Sequence, residues 1–146
     1  MSESVCHVFD TNTLVSAALF EHAKPGQALR RALSRGRVLL SSSTLEELAE
    51  VLQREKFERY VTAAEREEFL VAFVERALFM EATEEVHACR DAKDDKFLEL
   101  AVSGRAAYII SGDADLLVLH PFRDIAIMTT AEFLQATEEE VADEKA

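Results

Sequence analysis

Glycine and proline are scarce in this chain, with four and two residues among 146. Together with 49% apolar and 30% charged residues, that excludes a disordered or fibrous polymer. Cysteine falls short of a disulfide framework: Cys6 and Cys89 are the only two, and a small secreted scaffold held by bridges is excluded. Cys6 sits in an apolar run and reads as a buried, reduced thiol. Cations are the minority sign, 16 Lys and Arg against 28 Asp and Glu, for a net charge of −12. A surface that is polycationic throughout is therefore ruled out. No apolar stretch approaches the roughly 18 residues of a membrane span. The opening MSESVCHVFD carries no signal-peptide core, so a cytoplasmic protein with no membrane partner is expected. Also missing are a Ser-His-Asp set with a nucleophile elbow, a Cys/His zinc spacing and a phosphate-binding glycine loop. His7, His22, His87 and His120 are scattered and read as core or surface filler.

What is present is a regular alternation of short apolar runs and helical patterns. The length suits one domain with a full core. Residues 5–9 read as a strand, 13–20 as a helix, and 25–35 as a helix with Pro25 at its first position and Gly36 as its C′ residue. Residues 37–40 form a second strand. A helix over 45–55 follows, capped by Ser43 with Glu46 or by Thr44 with Glu47. A long Phe-rich helix over 62–80 starts with Thr62 and Glu65 as its capping box. Residues 81–93 read as loop with a short strand, 96–102 as a helix closed by Gly104, and 107–110 and 125–128 as strands. Thr129 with Glu132 caps a short last helix. The domain is expected over 1–136, with 137–146 as a flexible or partner-bound acidic tail. Strands separated by helices imply right-handed crossovers, hence an α/β fold with a mainly parallel sheet between helical layers.

In such sheets ligands bind beyond the carboxyl ends of the strands, and acids collect at that edge here. Phe9 gives way to Asp10-Thr11-Asn12-Thr13, Leu40 to the Ser41–Thr44 run with Glu46 and Glu47 just beyond, and Ile110 to Ser111-Gly112-Asp113-Ala114-Asp115. Asp91, Asp94 and Asp95 open the helix between the second and third of these. Each acid alone has a structural explanation, as a turn residue, an N-cap or a complement to a helix dipole. Four groups at one edge repel, and a hard divalent cation relieves that repulsion. Mg²⁺ and Mn²⁺ take oxygen ligands and work with few carboxylates plus a substrate phosphate.

Four segments carry a resemblance: Val8–Asn12, Ser43–Leu48, Cys89–Leu98 and Ile110–Leu117. In this order and spacing the chain resembles the PIN-domain family from Val5 to about Gln135, and within it the VapC-like toxins of bacterial toxin–antitoxin pairs. The resemblance implies a PIN-like three-layer α/β/α fold and a Mg²⁺- or Mn²⁺-dependent ribonuclease that hydrolyses phosphodiester bonds with metal-activated water. Its catalytic and metal-binding acids are Asp10, Glu47, Asp94 and Asp113. Asp91 or Asp95 stands as an alternative third acid, and Asp115 as a further one. Asn12 positions Asp10, Ser111 supplies a hydroxyl that the family often provides as Thr, and Ser43 supports the second motif. Thr13 departs from the family's usual apolar residue. The resemblance also implies a homodimer and a separate cognate antitoxin.

RNA must then approach an acidic protein. Residues 23–45 carry Lys24, Arg30, Arg31, Arg35 and Arg37 and no acid, while the tail from residue 137 holds five acids against Lys145. Two divalent ions would offset part of the remaining excess. The basic helix is expected either to contact the RNA backbone or to be a solvated face. Two other readings stand beside the nuclease. A haloacid-dehalogenase-like phosphatase nearly fits Asp10–Thr13, but Asn12 cannot serve as its general acid. A degenerate PIN-like domain would be a protein-binding module.

Overall fold

Five short strands line up side by side, and the alternation of their side chains divides the molecule into two helical layers. The computed structural model describes residues 4–145, with side chains as far as Glu138. The strands are β1 (Val5–Phe9), β2 (Gly36–Leu40), β3 (Leu78–Phe79), β4 (Tyr108–Ile110) and β5 (Ala126–Met128). All pair in parallel, in the order β3-β2-β1-β4-β5. The helices are α1 (Thr11–Leu19), α2 (Lys24–Arg35), α3 (Ser42–Leu52), α4 (Ala63–Arg76), α5 (Asp95–Ser103), α6 (Ala114–Leu117) and α7 (Thr130–Lys145). Single 3₁₀ turns lie at Glu55–Phe57 and Ala92–Asp94.

Successive strand residues face opposite sides, and each side has its own core. Phe9, Val38, Leu40 and Ile110 meet Leu14, Val15, Ala28, Leu29, Ala32, Leu48, Val51, Phe73 and Phe133 from α1, α2, α3, α4 and α7. Val8, Leu39, Ile109 and Ile127 meet Phe97, Leu98, Leu100 and Ala101 of α5 and Leu116 of α6. Both faces of the sheet are covered, which is why its strands read as continuous apolar runs. β1 lies in the middle, and the chain winds to one side through β2 and β3 and to the other through β4 and β5. The strand order therefore reverses between β1 and β4, where doubly wound sheets form a ligand crevice. Among the described residues no helix is long and apolar enough to cross a membrane.

Several element boundaries differ from the sequence reading. α4 stops at Arg76, because Leu78 and Phe79 pair with Leu39 and Leu40 to make β3. The short strand thus precedes residue 81. Pro25 is the second residue of α2, with Lys24 first. Gly36 is extended, at φ −171°, and opens β2 instead of closing α2 in a left-handed turn. It is needed there for another reason: a Cβ on Gly36 would lie 2.0 Å from the Val5 carbonyl oxygen. α3 begins three residues before its expected start and ends at Leu52, capped reciprocally by Ser41 and Thr44. Ser43 is exposed and caps nothing. The Thr62–Glu65 capping box on α4 and the Thr129–Glu132 pair ahead of α7 form as expected. Cys6 is half-buried, less than its apolar run suggested, and forms no disulfide. Thr137, the expected start of the tail, is fully buried within α7, and the side chains from 139 onward lie outside the described residues.

Candidate metal centre

Asp10 follows the last residue of β1 and caps α1, so the strand register sets its position. Its amide donates to the Ile110 carbonyl (3.2 Å), tying the end of β1 to the end of β4. One carboxylate oxygen accepts from the Thr13 amide (2.9 Å), and the other accepts from the Ser111 hydroxyl. Ser111 also accepts from the Asp113 amide (2.9 Å), so one hydroxyl joins the first acid to the β4 turn. Asp10 is only 5% exposed. Burial raises its pKa, the bonds from Ser111 and Thr13 do not cancel that rise, and the nearby Asp113 charge adds to it. The hydroxyl that the resemblance assigned to Ser111 is directed at Asp10. Asn12 is exposed and makes no hydrogen bond to Asp10, so Thr13 and Ser111 do the positioning.

Asp113 caps the short α6 and accepts from the Asp115 amide (2.9 Å). Asp94 sits at the start of α5 but caps none of its amides. Carboxylate oxygens of Asp94, Asp113 and Asp115 lie within 4.8 Å of one another. Burial, and then the Asp113 carboxylate, push the pKa of Asp94 up to about 6, with Asp91 and Glu47 adding to the effect. The donor set is all oxygen and crowded with like charge, which suits a hard divalent cation. Of the three candidates for the third acid, Asp94 joins Asp113. Asp95 is turned away and buried: it accepts from the amides of Ala88 (3.1 Å) and Cys89 (2.8 Å) and anchors the preceding loop. Burial works against its charge, but those amides prevail and its pKa falls. Asp91 accepts from the Lys93 amide (3.0 Å) and lies exposed at the cleft. Burial and then the nearby Asp95 push the Cys89 thiol up to about 12, so it is no nucleophile near neutral pH.

Glu47 is held from two sides, by the Thr11 hydroxyl on one oxygen and the Lys96 ammonium on the other. Burial alone would raise its pKa, but Lys96 and Thr11 outweigh it and lower it. Glu46 is exposed on α3. Asp10, Glu47, Asp94 and Asp113 line one open cleft of about 540 Å³, with Thr11, Asn12, Phe97 and the cations Arg54 and Lys93. A second cleft of about 610 Å³ adjoins it, sharing Asp10, Asn12 and Asp113 and continuing past Pro25 to Thr130.

The basic segment is mostly committed elsewhere. Arg31 donates to the Leu134 carbonyl (2.7 Å) and to Thr137 (3.0 Å), clamping α7 onto α2. Arg35 contacts buried His7 (3.2 Å) and stacks over Tyr108 and Phe133. Arg37 lies in β2 opposite Cys6, near the starts of the strands and away from the acids. Arg30 is exposed and donates to the Glu21 carbonyl (2.6 Å). Lys24 is exposed beside Pro25 of the second cleft. Of this segment only Lys24 lies beside the clefts, and the cations at the acid-lined cleft are Arg54 and Lys93, with Lys96 on Glu47. The sequence offered a signal for Lys96, which follows the acid cluster at once, but none for its partner 49 residues away.

Comparison with known proteins agrees with this architecture. A PIN-domain family model matches residues 7–115. An uncharacterized protein of Methanocaldococcus jannaschii, MJ1680, is 31% identical over 114 residues, 77% of this chain and 73% of the relative. VapBC2 from Rickettsia felis, solved bound to a DNA fragment from its promoter, superposes with a TM-score of 0.59 at 13% identity, over 86% of this chain and 98% of that one. PAE2754 from Pyrobaculum aerophilum superposes with a TM-score of 0.61 at 16% identity, over 92% of this chain and 90% of that one. With three quarters of its length under the family model and the acids gathered where β1 and β4 part, this chain belongs to the PIN-domain family.

Proposed function

We propose that this protein is a divalent-metal-dependent ribonuclease acting as the toxin of a toxin–antitoxin pair. The observation that carries the reading is the meeting of Asp10, Glu47, Asp94 and Asp113, from four separate segments, in one cleft at the reversal point of the sheet. Asp94, Asp113 and Asp115, with Asp10 beside them, are the donors for Mg²⁺ or Mn²⁺. Such a cation lowers the pKa of a bound water and offsets charge on phosphorus oxygens. The chain's own part is positioning. Ser111 and the Thr13 amide fix Asp10, and Thr11 and Lys96 fix Glu47. Arg54 and Lys93 supply positive charge along the cleft for the backbone of a nucleic acid.

The likeness to VapBC2 supports a cognate antitoxin and, with it, action in the cytoplasm. A groove of about 480 Å³ between α1, α2 and α4, lined by Ala17, Leu19, Leu29 and Phe69, is of the kind that accepts a partner helix or strand. A homodimer belongs to the same reading. The test is cleavage of a labelled, structured RNA pool with Mn²⁺ by wild type, Asp10→Asn and Glu47→Gln. Products that need Mn²⁺ and vanish in both variants are expected. Equal cleavage by all three would refute the site. Metal binding without cleavage would favour the phosphatase, and no metal binding at all the protein-binding module.

A further inference from the structure

The acids of the cleft fall into two groups with different electrostatic standing. Among the described residues, Asp94, Asp113 and Asp115 form no ion pair, and their carboxylate oxygens lie within 4.8 Å of one another. Glu47 has both oxygens occupied, one by the Thr11 hydroxyl and one by the Lys96 ammonium, and the pair is largely shielded from water, Lys96 being 18% exposed and Glu47 29%. A dication brought onto Glu47 would have to displace the ammonium or sit against it, and both choices oppose binding. Lys96 leads off from Asp95, whose side chain is pinned by the Ala88 and Cys89 amides. The ammonium is thus carried to Glu47 by a fixed helix start, and its Nζ lies over the Phe97 ring, 5.6 Å from the ring centre.

We infer that this site takes one divalent cation, at Asp94, Asp113 and Asp115, and that Lys96 fills the place on Glu47 that a second cation would otherwise take. The inference rests on the metal-dependent reading above and narrows it. Lys96 is then a positioning residue: it fixes the Glu47 carboxylate and offsets its charge without an ion. This replaces the two-ion balance expected from the sequence with one ion and one ammonium. It also accounts for a lysine set among carboxylates that all face a proposed cation site.

The experiment counts bound Mn²⁺ by titration, following the free-ion signal by electron paramagnetic resonance, with folding checked by circular dichroism. One Mn²⁺ per chain is expected for wild type and for Lys96→Arg, and two for Lys96→Gln, with the second lost again in Lys96→Gln/Glu47→Gln. Two Mn²⁺ in wild type would overturn the inference and leave the nuclease reading standing. A folded Lys96→Gln that still binds one would overturn it as well. Should Lys96→Gln not fold, Glu47→Gln decides. A count and an affinity within about two-fold of wild type support the inference, and a lost ion or a larger drop in affinity overturns it. No Mn²⁺ bound to wild type would overturn both the inference and the metal-dependent reading.

Discussion

Replacing Asp94 with Asn should make the metal-free protein more stable. In the folded chain the Asp94 pKa rises from an ordinary 3.8 to about 6, through burial and then the Asp113 carboxylate. Each unit of such a rise is about 1.36 kcal/mol of penalty on the charged form, so the ceiling is about 3 kcal/mol. Asp94 is half-buried and solvent screens part of this, leaving about 1.5 kcal/mol. At about 2–4 °C per kcal/mol for a chain of this length, Asp94→Asn should melt about 3–6 °C above wild type in EDTA at neutral pH. The pH dependence has a definite sign. Between 3.8 and about 6 the folded state holds this proton more tightly than the unfolded state, so stability falls as pH rises through that window. The advantage of the Asn variant is therefore full above pH 6 and fades as pH drops toward 4. With Mn²⁺ at about a hundredfold excess over its Kd, wild type gains about 2.7 kcal/mol, and the variant, short of one donor, gains much less. The order of melting temperatures should invert between EDTA and Mn²⁺, which differential scanning calorimetry reads directly. If Asp94→Asn melts at or below wild type in EDTA, the idea of a strained carboxylate cluster fails.

Two further substitutions separate the fold from the site. Asp95→Ala removes the acceptor of two backbone amides and should cost about 2 kcal/mol in urea unfolding, with the number of bound Mn²⁺ unchanged; a changed count would place Asp95 among the ligands after all. Arg31→Ala should loosen α7 and cost about 1–2 kcal/mol, yet leave the salt dependence of RNA binding as it was. A shallower salt slope in filter binding would return Arg31 to the nucleic-acid surface.

The parts of this molecule legible in its sequence are those set by local rules. Four of the five strands and the Thr62–Glu65 cap follow from apolar runs and capping chemistry, and the acids follow from their places just after strands. The illegible parts were decided at a distance or by a single residue of phase. Leu78 continues the helical spacing of Phe73, Val74 and Ala77, and only its pairing with Leu39 makes it a strand residue. Ser41, Ser42 and Ser43 are chemically alike, and the chain caps with the first because Thr44 returns the bond. Asp94 and Asp95 differ by about 100° around the helix, enough to send one to the cleft and the other to the loop amides. Arg31 looked like a surface cation because its acceptors lie more than 100 residues further on.

The central place of β1 has a consequence in time. β1 is synthesised before the other four strands, yet the Ser111 hydroxyl that holds Asp10 comes 101 residues later, and Asp113 and Asp115 later still. Contacts so far apart along the chain form late and slow folding. At about 5–20 residues per second, several seconds of synthesis separate the first acid from its partners. A nascent chain carries Asp10 and Glu47 but no assembled centre, so whatever this site does, it cannot begin while the β4 segment is still unmade.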